Sequence, residues 1–301
     1  MKQKFIYAIA ILFLAVVAIV FLQDEEPTSQ QEAKQDTSVN SQSLKKSEEV
    51  KIHIIDIGQG DAILVQSKED AYLIDGGNKG KGDDVLDYLH EQNVDHLTAV
   101  ISTHPDADHI GGLAEVIRGI EVQSVYAPKV SHTTEAFKQF LLAVKEKSLK
   151  IKSVTSGGSI STNTSNLTLD FLGPTKDYSK SDLNDWSAVL QVTHGDKKFL
   201  LTGDAETPAE RDMLTAGLLG PVDVLKVSHH GAAEATNKAF LDVVKPHLAA
   251  ISVGEGNRYK HPTKDTLNRL KDANAKIYRT DQHGSIIFVS NGKNIIVKVE
   301  R

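Results

Sequence analysis

The residues best suited to chemistry lie in one short segment, Thr103-His104-Pro105-Asp106-Ala107-Asp108-His109-Ile110-Gly111-Gly112. His104, Asp106, Asp108 and His109 place four side chains of metal-ligating type within six residues. Groups packed this closely repel and desolvate one another unless a cation neutralises them, so the spacing points to a metal site rather than a solvated acidic loop. Two later segments have the same form: Phe199–Thr202 runs into Gly203-Asp204, and Val224–Ser228 runs into His229-His230-Gly231. His261, in Tyr259-Lys260-His261-Pro262, is a further candidate. The sequence has no cysteine, so only nitrogen and oxygen ligands are on offer, which suits Zn²⁺, Mn²⁺ or iron. Gly58-Gln59-Gly60 and Gly76-Gly77 read as turns, and no dinucleotide fingerprint or serine elbow competes.

These side chains need rigid bases, and the apolar runs before them supply strands. Lys51–Ile57, Ala62–Gln66 and Ala71–Asp75 read as short strands, and Leu97–Ser102 as a buried strand feeding the loop Thr103–His109. Gly111 and Gly112 allow close backbone approach before a helix to Ile117. A β-rich second half begins near Lys150, with Ala188–Thr193 and Lys198–Thr202 joined by a Gly195-Asp196 hairpin turn. Helices at Asp83–Gln92, Glu135–Lys147, Glu206–Leu214, Asn237–Val244 and Thr263–Asp272 are interleaved, and three strands close the chain. Strands first and helices later in each half predict two sheets packed face to face with helices outside.

The 301 residues divide into three segments. Residues 1–22 contain an 18-residue uncharged run, Phe5–Leu22, behind Lys2 and Lys4, which reads as a signal anchor or transmembrane segment with a cytoplasmic N-terminus. With no Ala-x-Ala at its end, retention is favoured over cleavage, which would release a secreted protein. Residues 23–50 read as a flexible polar linker and 51–301 as the folded domain. Of the net charge of −6, the first 50 residues hold 5 of 34 basic and 7 of 40 acidic groups, leaving −4 for the domain. That balance excludes a broad nucleic-acid-coating surface. His194 reads as exposed beside its turn, and Trp186 as an aromatic either over the substrate or over the core.

The ordered motifs resemble the metallo-β-lactamase superfamily across nearly all of 51–301, and within it the ComEC-type competence hydrolase domain: HxDxDHxGG, then LLTGD, KVSHHG and HP. The opening His53–Ala62 and Leu73–Gly77 resemble the same group, and bacterial phosphorylcholine esterases share much of the pattern. The resemblance implies an α+β fold of αββα type, with one or two divalent metal ions (Zn or Mn) at one sandwich edge. It assigns His104 to one metal, Asp204 as a bridge, and Asp108 and His109 to the other. One of His229 and His230 joins the first site while its neighbour orients it or contacts substrate, and His261 joins the second. Asp106 departs from the usual motif, which has histidine there; a carboxylate hardens that site, or leaves Asp106 as a proton shuttle in a one-metal enzyme. Asp56, Asp61 and Asp75 match family positions as supporting or turn residues.

The expected activity is hydrolysis of a phosphoester by metal-activated hydroxide, with Asp204 holding the nucleophile and Asp106 or the non-ligating histidine protonating the leaving group. DNA is the first expected substrate, with Lys79, Lys81, Lys226, Arg258 and Lys260 near the motifs to bind phosphate. A phosphorylcholine or teichoic-acid-type esterase, a lactam, lactone or thioester hydrolase, and a tethered non-catalytic binding module are the alternatives. The anchor would place the domain on the outer face of a membrane; no protein partner is indicated.

Overall fold

The computed structural model describes residues 49–301. The expected anchor, and all of the expected linker but its last two residues, lie outside the described residues. Among the described residues no helix is long and apolar enough to cross a membrane.

The first half runs β1 (Val50–Ile54), β2 (Ile63–Gln66), β3 (Ala71–Ile74), α1 (Gly82–Glu91), β4 (His96–Leu97), β5 (Ala99–Ile101), α2 (Ala107–Ile110), α3 (Leu113–Gly119), β6 (Glu121–Val122), β7 (Val125–Pro128), α4 (Glu135–Glu146) and β8 (Ile151–Val154). The second half runs β9 (Ser159–Ile160), β10 (Leu167–Phe171), β11 (Leu190–His194), β12 (Lys197–Leu201), α5 (Thr207–Thr215), β13 (Val224–Lys226), α6 (Lys238–Val244), β14 (Leu248–Ile251), α7 (Lys264–Asp272), β15 (Lys276–Arg279), α8 (Thr280–His283), β16 (Ile286–Ser290) and β17 (Ile295–Val299). Thr134, Asn237 and Thr263 start α4, α6 and α7 by accepting from the backbone N–H three residues on.

Alternation along the strands decides the layers. Ile52, Ile54, Ile63, Val65, Tyr72 and Ile74 face Leu169, Phe171, Leu190, Val192, Phe199 and Leu201 of the other sheet, forming the central core. Their neighbours Leu64 and Leu73 turn the opposite way, onto Val85, Leu89, Val116 and Phe140 of α1, α3 and α4. Leu200, Leu225 and Ile251 likewise meet α5, α6 and α7 through Met213, Phe240 and Leu270. The result is the expected αββα arrangement.

The sheets have eight and seven strands, ordered β17-β16-β1-β2-β3-β5-β7-β8 and β15-β14-β13-β12-β11-β10-β9. The closing hairpin β16-β17 therefore leaves the second half and joins the first sheet beside β1. The expected strand 97–102 is two pieces, because Leu97 pairs with Val122 in a separate two-stranded ribbon while β5 pairs with β3. The hairpin at Gly195-Asp196 is as expected, with Leu190 opposite Leu201. His194 is buried, not exposed: its Nδ1 lies 2.9 Å from Ser290 Oγ of β16, which packs over that turn. Trp186 is also buried and donates from Nε1 to Ser179 O, so it covers the core and not the substrate.

His53 is fully buried, with Nδ1 2.9 Å from Tyr88 Oη of α1. Burial first, and Lys51 second, lower its pKa from 6.5 to about 3. A folded-state pKa below the unfolded one means that the stability linked to this group is present above pH 6.5 and is lost as pH falls toward 3. Thermal unfolding followed between pH 7 and pH 4 is expected to show a shallower acid decline in His53→Gln than in the parent, and equal slopes would refute this (about one pH-dependent group is being removed).

Candidate metal centre

Residues of the centre sit where strands end. β3 leads to Asp75, β5 to His104, β12 to Asp204, β13 to His229 and His230, and β14 to Ser252. In each sheet these strands run parallel to one another, so their carboxyl ends share one edge of the sheet. Loops there interlock closely. Asp61 N–H donates to Asp108 O and Gly76 N–H to His109 O, at 3.1 and 2.7 Å. A Cβ on Gly60 would stand 2.2 Å from Asp108 O, and one on Gly111 would stand 2.2 Å from Lys79 N, so both glycines are required by close approach. The expected loop 103–109 contains the short helix α2, which carries Asp108 and His109.

Two groups of ligand atoms, each within 4.8 Å of one another, converge on the Nε2 side, His104, His109 and Asp204, and Asp108, His109 and His230, while a third, Asp61, Asp75 and His109, lies at His109 Nδ1. Asp204 Oδ2 lies 3.2 Å from His109 Nε2 and 3.5 Å from His230 Nε2, and His230 Nε2 lies 3.4 Å from Asp108 Oδ2. The opposite ring nitrogens are held. Thr103 donates from Oγ1 to Asp75 Oδ2 at 2.6 Å and therefore accepts from His104 Nδ1 at 3.0 Å. His109 Nδ1 meets the same Asp75 Oδ2 at 2.8 Å, and His230 Nδ1 donates to Ser252 O at 2.9 Å. Each acceptor holds Nδ1–H and aims Nε2 at the cluster. The Nε2 atoms of all three rings are buried and make no hydrogen bond, and neither does Asp204 Oδ1. Buried polar atoms left this way, converging with carboxylates, fit a divalent cation.

Asp75, at φ 59°, thus orients two histidines from a left-handed turn residue, a supporting role rather than a bland one. Lys226 is fully buried and cannot be the surface phosphate binder expected from its motif. Its Nζ ion-pairs with Asp61, donates to Gly203 O at 3.0 Å and stands 3.8 Å from Asp204 Oδ1. The burial of a lysine at the inner end of β13 has no mark in local sequence; nor has Glu206, which holds His229 Nδ1 at 2.9 Å. Asp61 lies 3.5 Å from His230 Nδ1, whereas Asp56 sits away with Arg301 at 2.6 Å.

The structure separates the histidine pair. Both have left-handed backbone, φ 48° and 52°, which turns consecutive side chains to different sides. His230 enters the cluster; His229 is about a quarter exposed, 3.8 Å from Asp204 Oδ2. This corrects the expected grouping, because His230 joins Asp108 and His109 and not His104. His261 is brought into neither group. Asn257 donates to its carbonyl and accepts from its N–H, and its ring lies between Tyr259 and His229, with centroids 5.8 and 5.5 Å away. Asp106 also stays at the rim, one-third exposed and 3.6 Å from His104 Nε2.

Burial opposes the charges at the cluster, and at all but His261 the neighbours outweigh it. Burial would discharge His109, but Asp204 and Asp75 hold its pKa well above the usual imidazole value. Burial would neutralise Asp204, but His109 and His230 keep it well below the usual carboxylate range. Asp108 and Asp106 are likewise lowered against burial, by His230 and His104. Asp106 is thus held as the carboxylate beside His104. His229 is raised against burial by Glu206 and Asp204, and His261 is lowered by burial and by His229.

The chain belongs to the metallo-beta-lactamase superfamily, whose model matches residues 55–255. Members are metal-dependent hydrolases, and the fold binds one or two divalent cations. Among curated relatives it is 31% identical over 258 residues to ComE operon protein 3 of Bacillus subtilis, covering 80% of this chain and 33% of that one. It is 28% identical over 250 residues to Competence protein ComA of Neisseria gonorrhoeae, covering 80% and 32%. The chain thus spans about a third of the length of these competence-related relatives. In fold it is similar to the metallo-beta-lactamase fold protein YhfI from Bacillus subtilis, with a TM-score of 0.53, 14% identity and coverage of 81% and 100%.

Proposed function

We propose that this chain is a metal-dependent phosphodiesterase of nuclease type. The observation that carries the reading is the convergence of three buried, unpartnered Nε2 atoms with Asp204 and Asp108 at one sheet edge. The likeness to competence-related relatives supports a nucleic-acid substrate. His104, His109 and Asp204 would hold one cation, and His230 with Asp108 a second, sharing His109 or Asp204 with the first. A bound divalent cation supplies positive charge that acidifies water and polarises a phosphoryl oxygen. Asp75, Thr103 and Ser252 hold the ring tautomers, and the charge of Lys226 stands 3.8 Å behind Asp204 Oδ1. His229, braced by Glu206 and partly exposed beside Asp204, is placed to pass a proton from its Nε2 to a leaving oxygen. With Lys226 buried, phosphate recognition falls to the cations and to Lys79, Lys81, Arg258 and Lys260 at the surface.

Phe5–Leu22 would tether the domain at the outer membrane face. The test is elemental analysis of the purified full chain, with hydrolysis of single-stranded DNA and of bis(p-nitrophenyl) phosphate in Mn²⁺ or Zn²⁺. Bound metal at one to two equivalents with phosphodiester cleavage is expected (one or two ions, as for catalytic sites of this kind). No bound metal and no cleavage would sink the reading, and cleavage of lactam or thioester substrates alone would replace it.

A further inference from the structure

Beside the metal centre, and sharing Asp108 with it, opens a cleft of about 470 Å³ lined also by Gln59, Asn78, Asn257, Arg258 and Tyr259. That volume is of the size that takes one small-molecule-sized group. The loop over it is rigid: Asn257 donates to Gly254 O and His261 O and accepts from His261 N–H. Between those anchors the loop presents Tyr259, half exposed, with the Arg258 guanidinium 4.8 Å from its ring centroid and bonded to its hydroxyl at 2.6 Å. Tyr259 stacks on His261 on one side, and its exposed remainder beside a planar cation still offers a stacking platform. Gln59 also lines the cleft: its Oε1 accepts from Gly254 N–H, and its Nε2 is buried without a hydrogen-bond partner. An exposed aromatic and an unspent amide donor in one cleft match a nucleobase, which offers a π-face and carbonyl oxygens. The guanidinium puts a positive charge where a quaternary ammonium would have to sit, so the cleft disfavours a choline-type group.

We propose that this cleft is a nucleobase subsite, in which Tyr259 and Arg258 stack one unpaired base of a single-stranded nucleic acid beside the scissile phosphate and Gln59 Nε2 donates to that base. The proposal rests on the phosphodiesterase reading and names its substrate class. The base must be unpaired because stacking on Tyr259 needs a free face.

The test compares oligo-dT with an abasic oligonucleotide of equal length on the metal-loaded full chain. The parent is expected to favour oligo-dT by roughly 5- to 100-fold in kcat/KM, the range of one base stacked on an aromatic side chain. Tyr259→Ala should bring that ratio close to one, and Tyr259→Trp should keep it. Using the ratio cancels any loss transmitted through His261, against which Tyr259 stacks. A parent without base preference, or Tyr259→Ala retaining it, would overturn the subsite while leaving the phosphodiesterase reading intact. A preference for p-nitrophenyl phosphorylcholine over bis(p-nitrophenyl) phosphate would also overturn it. If no phosphodiester is cleaved at all, anisotropy of labelled oligo-dT against its abasic counterpart reads the subsite independently, and equal binding of the two refutes it.

Discussion

Asp204→Asn is expected to fold like the parent, to lose about 100-fold or more in divalent-cation affinity and to lose about 10³-fold in phosphodiester turnover. Among the described residues, Asp204 is the one carboxylate whose oxygen lies within 4 Å of His109, His229 and His230 together. Asparagine keeps the shape and removes the charge. The three imidazoles then face one another and Lys226 without the anion that balances them, and His109 loses the larger of the two carboxylates that raise its basicity. A cation placed among them meets repulsion where it met attraction. Metal affinity by chelator competition, circular dichroism and turnover would be measured side by side. Unaltered metal affinity in a folded variant would remove Asp204 from the centre; a collapse of the fold with metal retained is not compatible with the geometry.

The second large effect is one of stability. Lys226→Met is expected to cost about 3–5 kcal/mol, because removing one member of a buried ion pair strands the other. For a domain of this size that lowers the unfolding midpoint by ~10 °C. Burial opposes the charge on Lys226, yet Asp61 and Asp204 raise its pKa, so it stays charged and the pair stays intact. The double substitution Lys226→Met with Asp61→Leu removes both charges, and should recover part of the loss as a coupling of about 1–3 kcal/mol. Calorimetric scans of the parent, the single variants Lys226→Met and Asp61→Leu, and the double variant decide the matter. A lysine serving substrate at the surface would instead raise KM and leave the midpoint unmoved.

Much of the centre could be read from the chain alone because its ligands cluster at strand ends within short, ordered segments. His104, Asp108 and His109 arrive within six residues, and Asp204 and the His229-His230 pair follow apolar runs that can only be buried strands. Period-two alternation likewise marked which residues of β1, β2 and β3 face the second sheet. What was missed depended on contacts distant in sequence. His194 is buried because β16 returns from ninety-six residues away to cover it. Trp186 reaches Ser179 through a turn with no strong local signal. The choice between His229 and His230 hung on two successive left-handed residues, a backbone state that strand parity does not anticipate.

By itself, then, the amino-acid sequence determined the kind of ligands, the layered fold and the edge at which they gather, since residue type, hydrophobic period and turn chemistry are local properties. Only the tertiary structure decided which atoms meet. It turned His230 inward and left His229, His261 and Asp106 at the rim, drew Asp75 against His109 and, through Thr103, behind His104, and sealed Lys226 between Asp61 and Asp204. Those outcomes depend on where parallel strands from two sheets end relative to one another, a quantity set by packing across the whole core and encoded at no single position.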